Sequence, residues 1–142
     1  MGNDAGLIKR FYLEVVAGGN LELIDEMVAE GFVDHESLPG QPPGKEGAHF
    51  FVNTMRTAFP DLSVKSSEPA LADGDLEAVR TVLTGTHQGE LMGVAATGRT
   101  VEIETIDIVR FEDGKAAEHW GVTDLWGLMQ QLGAESQQRG PE

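Results

Sequence analysis

Five titratable side chains stand where strands would ordinarily carry apolar residues: His35, His87, His119, Asp107 and Asp124. A polar group on a core-facing strand must be hydrogen-bonded or line a wet cavity, since burying it unpaired costs roughly 1–3 kcal/mol. Several such groups in one short chain imply a pocket. The sharpest case is the run from Val101 to Phe111, in which Asp107 shares parity with Val101, Ile103 and Val109 while Glu102 and Glu104 take the other. That alternation points Asp107 inward, where a desolvated carboxylate accepts protons. The alternative for Asp107 is an acid paired with Arg80 or held by backbone donors. His119 is one residue from Trp120 and therefore faces the opposite side, with Ala117 and Gly121. Its imidazole can transfer a proton or donate to an enolate oxygen. Asp107 and His119 are thus the candidate catalytic pair.

Six further side chains are candidate substrate contacts: Tyr12, His35, Arg80, His87, Trp120 and Asp124. Tyr12 offers a hydroxyl that could hold a carbonyl, and His35 stands at the expected mouth of the pocket. His87 ends a long strand beside Gly89, where backbone can approach a ligand. Arg80 would pair with Asp107 if the two meet. Asp124 precedes the last helix and is suited to cap it. No His-x-His or His-x3-His pair is present, so no metal is expected. Cysteine is absent, which excludes disulfides, thiolate nucleophiles and iron–sulfur ligation. Neither a Gly-x-Ser-x-Gly elbow nor a phosphate loop is present. The net charge of −14 repels nucleic acid and anionic membranes. With no apolar leader and no apolar run near the roughly 20 residues of a span, the expected location is the cytoplasm.

These residues need a frame. Asn3 can cap a helix in which Leu7, Ile8, Phe11, Tyr12 and Val15 recur at three-and-four spacing until Gly18-Gly19. Asn20 can cap a second, with Leu21, Leu23, Ile24, Met27 and Val28 before Gly31, which makes a helical hairpin. Phe32 to His35 is short and extended, and the Pro- and Gly-rich stretch from Leu38 to Gly44 excludes regular structure. A third helix runs from Lys45 to about Ala58, offers Phe50, Phe51, Met55 and Phe59 to the core, and is stopped by Pro60. From Asp61 the period becomes 2, with strands over Leu62 to Leu71, Leu76 to His87, Arg99 to Phe111 and Ala116 to Thr123. Asp73-Gly74 and Asp113-Gly114 are hairpin turns, and Gly89 to Gly98 is an irregular insertion. A last helix, Leu125 to Leu132, ends at Gly133. The expected architecture is one α+β domain over residues 1–133, followed by a polar tail over 134–142. Its N-terminal helices pack in the concave face of a strongly curved, mostly antiparallel sheet, forming a cone. The convex face would carry Ile106, Ile108, Trp120 and Val122, a surface suited to a homodimer.

Phe32-Val33-Asp34-His35, Phe59-Pro60-Asp61, Gly85-Thr86-His87, Asp113-Gly114-Lys115, Glu118-His119-Trp120 and the closing run from Gly127 to Gly133 occur in a telling order. Together they resemble the SnoaL-like polyketide cyclases, or ester cyclases, of the superfamily shared with nuclear transport factor 2, ketosteroid isomerase and scytalone dehydratase. The resemblance implies an α+β cone with a pocket between sheet and helices, and a homodimer or larger oligomer. It also implies cofactor-free aldol cyclisation of an aromatic polyketide ester by removal of an acidic proton. The family's acid/base is an aspartate in a His-Trp-Asp element, and the matching positions here are His119, Trp120 and Gly121. The aspartate is missing, so that role cannot be carried over to Gly121.

The expected function is cofactor-free acid/base chemistry next to a carbonyl on a hydrophobic small molecule. The competing reading is a non-catalytic small-molecule binding domain on the same fold. Further alternatives are a ketosteroid isomerase-like enzyme and an epoxide hydrolase built on Asp107 and Arg80.

Overall fold

The structure is a computed structural model and describes residues 6–133. The Asn3 cap and the tail over 134–142 lie outside the described residues. The first helix, α1 (Gly6–Arg10), runs directly into a π-helical segment, Phe11–Ala17, and buries Ile8, Tyr12, Val15 and Val16. Two glycines end it. A Cβ on Gly18 would stand 2.7 Å from the Glu14 carbonyl oxygen, and Gly19 has φ +78°. Arg56 closes the exposed helix end by donating Nη1–H to the carbonyls of Val16 (3.0 Å) and Ala17 (2.8 Å).

The second helix, α2 (Glu22–Met27), is shorter than its apolar stripe suggested. Its cap residue is Leu21, with no side-chain cap bond, so Asn20 does not cap it. Val28 instead begins strand β1 (Val28–Asp34), where Phe32 is buried and Val33 exposed. Helix α3 (Lys45–Ala58) buries Ala48, Val52, Met55 and Ala58. Phe50, expected in the core, belongs to the other side of this helix and lines a shallow hollow with Leu38 and Pro39.

The expected strand from Leu62 to Leu71 is two, β2 (Ser63–Ser66) and β3 (Ala70–Asp73). Pro69 lies between them and has no N–H to give a ladder. Then come β4 (Leu76–Thr86), β5 (Thr100–Glu112) and β6 (Lys115–Thr123), with two-residue turns at Gly74-Asp75 and Asp113-Gly114. Helix α4 (Leu125–Leu132) is capped by Asp124, which accepts the Gly127 N–H at 2.8 Å, and ends at Gly133 with φ +80°.

The sheet order is β1-β6-β5-β4-β2, with β3 also on β4. All pairings are antiparallel except β1 with β6, which is parallel and sets Asp34 beside His119. The helices cover one face of this curved sheet, in agreement with the expected α+β class. Val15, Val16, Ile24, Val52 and Phe59 are fully buried against Val79, Leu83, Val101 and Ile103. Each large apolar side chain so buried contributes roughly 1.5–3 kcal/mol, which is what fixes the sheet's inward parity. The uncovered face leaves Ile106, Ile108 and Val122 exposed.

Candidate active site

The inward parity of β5 decides where the chemistry goes. Val101, Ile103, Thr105, Asp107 and Val109 face the helices, and Glu102, Glu104, Ile106 and Ile108 face out. Asp107 is 4% exposed. Its register partner on β6 is Gly121, and His119 lies two residues earlier on the same face.

His119 sits between two carboxylates. It donates Nδ1–H to Asp34 Oδ1 at 2.7 Å and Nε2–H to Asp107 Oδ1 at 2.7 Å. Each ring nitrogen faces an anionic oxygen, so the ring is an imidazolium. Burial opposes that charge, but the bonds to Asp107 and then Asp34 outweigh it and push His119 up to about 10. Asp34 reaches this place through the parallel β1–β6 pairing. It also accepts the Glu36 N–H and a Gln41 side-chain N–H, both at 2.9 Å. Burial works to raise its carboxyl, yet the bonds from His119, Gln41 and the Glu36 amide hold it below the usual aspartate range.

Tyr12, on the π-helical segment, donates its hydroxyl to Asp107 Oδ2 at 2.7 Å. Burial and then the Asp107 charge push this phenol well above its ordinary value, so it remains a donor. The Thr105 hydroxyl lies 3.4 Å from the same oxygen. Glu36 follows β1 and accepts the Thr123 N–H on Oε2 at 3.0 Å, while Oε1 stands 4.0 Å from His119 Nε2. Burial foremost raises its carboxyl, with the Asp107 charge adding, against the Thr123 bond and the His119 charge.

These groups form the polar end of a mostly apolar pocket with about 760 Å³ of empty space, part of it open to solvent. Its walls include Leu7, Phe11, Met27, Phe51 and Phe111. Single ligand atoms of Glu36, Asp107 and His119 lie within 4.8 Å of one another, close enough to surround a cation. An imidazolium has no lone pair to give a metal, so as arranged the cluster is an acid/base array.

Of the sequence candidates, the structure brings together Tyr12, Asp107 and His119. The others go elsewhere. Arg80 is on the outer face, opposite Ile106, and bonds Glu104 and the Glu68 carbonyl. It does not meet Asp107, which removes the pair on which epoxide hydration depended. Trp120 has the parity opposite to His119, and His35 stacks on it at 5.3 Å while bonding Glu118 at 2.8 Å, so neither lines the pocket. His87 is fully buried against Phe59, at 5.6 Å between rings, and its Nδ1 accepts the Thr97 N–H at 3.2 Å. It is a core residue here. Asp124 is spent on capping α4.

Sequence reasoning missed Asp34, Glu36 and Glu77. The last is a fully buried carboxylate that accepts the N–H groups of Ile8 (2.9 Å) and Leu7 (3.3 Å) at the start of α1. It shares parity with Val79, the same signal that flagged Asp107. Asp34 shares parity with buried Phe32, but only the parallel pairing shows what it meets. Glu36 lies beyond the strand, where no periodicity applies.

Helices over one face of a curved sheet, with a hydrogen-bonded cluster of titratable groups at the end of an apolar pocket, make this an α+β cone. The family model for SnoaL-like polyketide cyclase matches residues 6–132. The chain belongs to that family. It is 27% identical over 135 residues to the aklanonic acid methyl ester cyclase DauD of Streptomyces sp. (strain C5), covering 94% of this chain and 83% of that one. It is 26% identical over 116 residues to the nogalonic acid methyl ester cyclase of Streptomyces nogalater, covering 81% and 87%. Among solved structures, TsrD from Streptomyces laurentii superposes with a TM-score of 0.81 at 29% identity, covering 91% of this chain and 93% of that one. No helix among the described residues is long and apolar enough to cross a membrane.

Proposed function

We propose that this protein closes a ring on a hydrophobic, aromatic polyketide ester by a cofactor-free intramolecular aldol reaction. The observation that carries the reading is the His119 imidazolium, held by Asp34 and Asp107 at the polar end of an apolar pocket. A proton leaves the carbon beside a carbonyl, and the C–H electron pair becomes the enolate. A fixed cation in a poorly solvated pocket stabilises the charge that develops on the enolate oxygen. The enolate carbon then attacks a second carbonyl of the same molecule, forming a C–C bond. The resulting alkoxide takes up a proton, so substrate and product are isomers. The names of the relatives, cyclases of aklanonic and nogalonic acid methyl esters, support an aromatic methyl ester as the substrate class.

The test is incubation with aklanonic acid methyl ester in D2O. The expected result is an isomeric product joined by the new C–C bond, with deuterium at the carbon beside the carbonyl only in substrate whose enolate is reprotonated before it closes. His119 spends both N–H groups on carboxylates, so its effect is that of a nearby charge, and His119→Gln is expected to lower kcat by removing that charge. Tight binding without isomerisation or deuterium exchange would instead support a binding domain and reject the enzyme.

A further inference from the structure

We propose that Glu36 is the general base of this pocket, and that Gly121 is the position that admits it. The proposal rests on the acid/base reading above and names the group that takes the proton.

The argument comes from the carboxylate oxygens themselves. Both oxygens of Asp34 are occupied, Oδ1 by His119 and the Glu36 amide, and Oδ2 by Gln41. Both oxygens of Asp107 are occupied too, Oδ1 by His119 and Oδ2 by the Tyr12 hydroxyl. Bonds of this kind hold the carboxylate oxygens on protein donors and leave them less free to reach a substrate proton. Glu36 differs. Its Oε2 is tied to the Thr123 N–H, but Oε1 has no hydrogen-bond partner among the described residues. Among the described residues it is the carboxylate oxygen of the Asp34, Asp107 and Glu36 set that has made no hydrogen bond, and so the one freest to meet a substrate proton. Burial, the foremost influence on this carboxyl, shifts it in the direction a base working near neutrality needs.

The position of Oε1 depends on Gly121. A Cβ there would lie 2.5 Å from Glu36 Oε1, 2.8 Å from His119 Nε2 and 2.9 Å from Asp107 Oδ1. All three contacts are closer than a real Cβ tolerates, so any side chain at 121 displaces the cluster. The distance to Oε1 is also informative. An aspartate places its carboxylate oxygens about 2.4 Å from its Cβ, one C–C and one C–O bond away. Glu36 therefore brings its oxygen, from the segment after β1, to the place where a carboxylate on residue 121 would begin. Its backbone N–H is fixed on Asp34 and its Oε2 on Thr123, so the arm is held at both ends.

In the reaction, Glu36 Oε1 takes the proton from the carbon beside the carbonyl, and the electron pair moves toward the oxygen near His119. After ring closure Glu36 returns a proton, or a deuteron exchanged from solvent, to the alkoxide. The titratable groups facing Glu36 are Asp34, Asp107 and His119, with Tyr12 behind Asp107.

The experiment measures deuterium exchange and ring closure of aklanonic acid methyl ester by wild type, Glu36→Gln, Glu36→Asp and Asp107→Asn. In Glu36→Gln the side-chain amide carbonyl can still accept from Thr123, so the fold and KM are expected to persist. Loss of a general base costs about 10²–10⁴ in rate, and Glu36→Gln is expected to lose that much of kcat. Glu36→Asp, with a shorter reach, is expected to retain intermediate activity with a displaced acid limb in its pH profile. A merely structural role would move neither the limb nor the split between kcat and KM. If Glu36→Gln closes the ring at the wild-type rate while Asp107→Asn does not, the base is Asp107 and the proposal is overturned, with the enzymatic reading intact. If wild type itself shows neither ring closure nor exchange, both are overturned.

Discussion

Replacing Asp34 by Asn tests the central electrostatic argument with little change of shape. The wild-type ring donates to two carboxylates at 2.7 Å each, and the variant keeps an acceptor at Nδ1 while removing one of the two charges. Exchanging a charged for a neutral acceptor gives up roughly 1.5 kcal/mol, or about one pH unit. His119, pushed up to about 10 in the wild type, is therefore expected to titrate about one unit lower in the variant. There is a second cost. The Asn amide must face the Gln41 Nε2 donor, and Gln41 cannot turn freely because its Oε1 accepts the Leu38 N–H at 3.0 Å. An unpaired donor adds about 1 kcal/mol, so the variant is expected to be less stable at neutral pH by about 2–3 kcal/mol. For a chain of this size that is a fall of roughly 6–12 °C in Tm. The sign with pH follows from the direction of the shift. A histidine raised on folding contributes stability that is full below its unfolded value of 6.5 and is lost as pH rises toward about 10. Wild-type Tm is thus expected to decline across that window, and the decline in Asp34→Asn to be shallower. On the acid side, the lowered Asp34 carboxyl contributes stability that is present above 3.8 and lost as pH falls below it. Histidine NMR titration and thermal unfolding against pH read both effects. A wild-type His119 titrating near 6.5, or a Tm flat across the alkaline window, would refute the imidazolium assignment.

Two other outcomes are expected. Gly121→Asp rebuilds a His-Trp-Asp element, but the new side chain must enter space already held by Glu36, His119 and Asp107. Overpacking of this kind costs about 1–3 kcal/mol, so a lower urea midpoint and no gain of cyclase activity are expected. Turnover above wild type would show that Glu36 is not the base. We also expect a homodimer through the outer sheet face, where Ile106 is 53% and Val122 73% exposed. Light scattering on wild type and Val122→Asp checks this, with a 15.3 kDa wild-type monomer at micromolar concentration as the rejecting result.

Strand parity carried most of what was legible. Asp107 and Trp120 could be assigned to opposite faces from the sequence because the sheet buries one side only, and a one-residue slip would expose Ile103 and Val109. Helices α3 and α4 end where their proline and glycine stops stand. The same parity, applied to β4, would have set Glu77 inward with Val79 and Arg80 outward. Arg80 is complementary in charge to Asp107 but stands on the opposite face. What parity could not give was Asp34 and Glu36. Their meeting with His119 depends on the parallel pairing of β1 with β6, whose partners are more than eighty residues apart, and no local pattern encodes it.

Most of the apolar wall and most of the polar end of the pocket come from different parts of the chain, with Tyr12 on the π-helical segment and Phe111 on β5 as the exceptions. Leu7, Phe11, Met27 and Phe51 belong to the helical layer, whereas Asp107 and His119 are set by the strands and Glu36 by the segment after β1. A methylene gained or lost in such a wall changes substrate preference by about 1–3 kcal/mol. None of those four wall side chains bonds to a member of the acid/base array. Under the proposed function, selection, natural or in the laboratory, can therefore retune which molecule fits by changing helix residues one at a time while the His119, Asp34, Asp107 and Glu36 cluster is inherited unaltered.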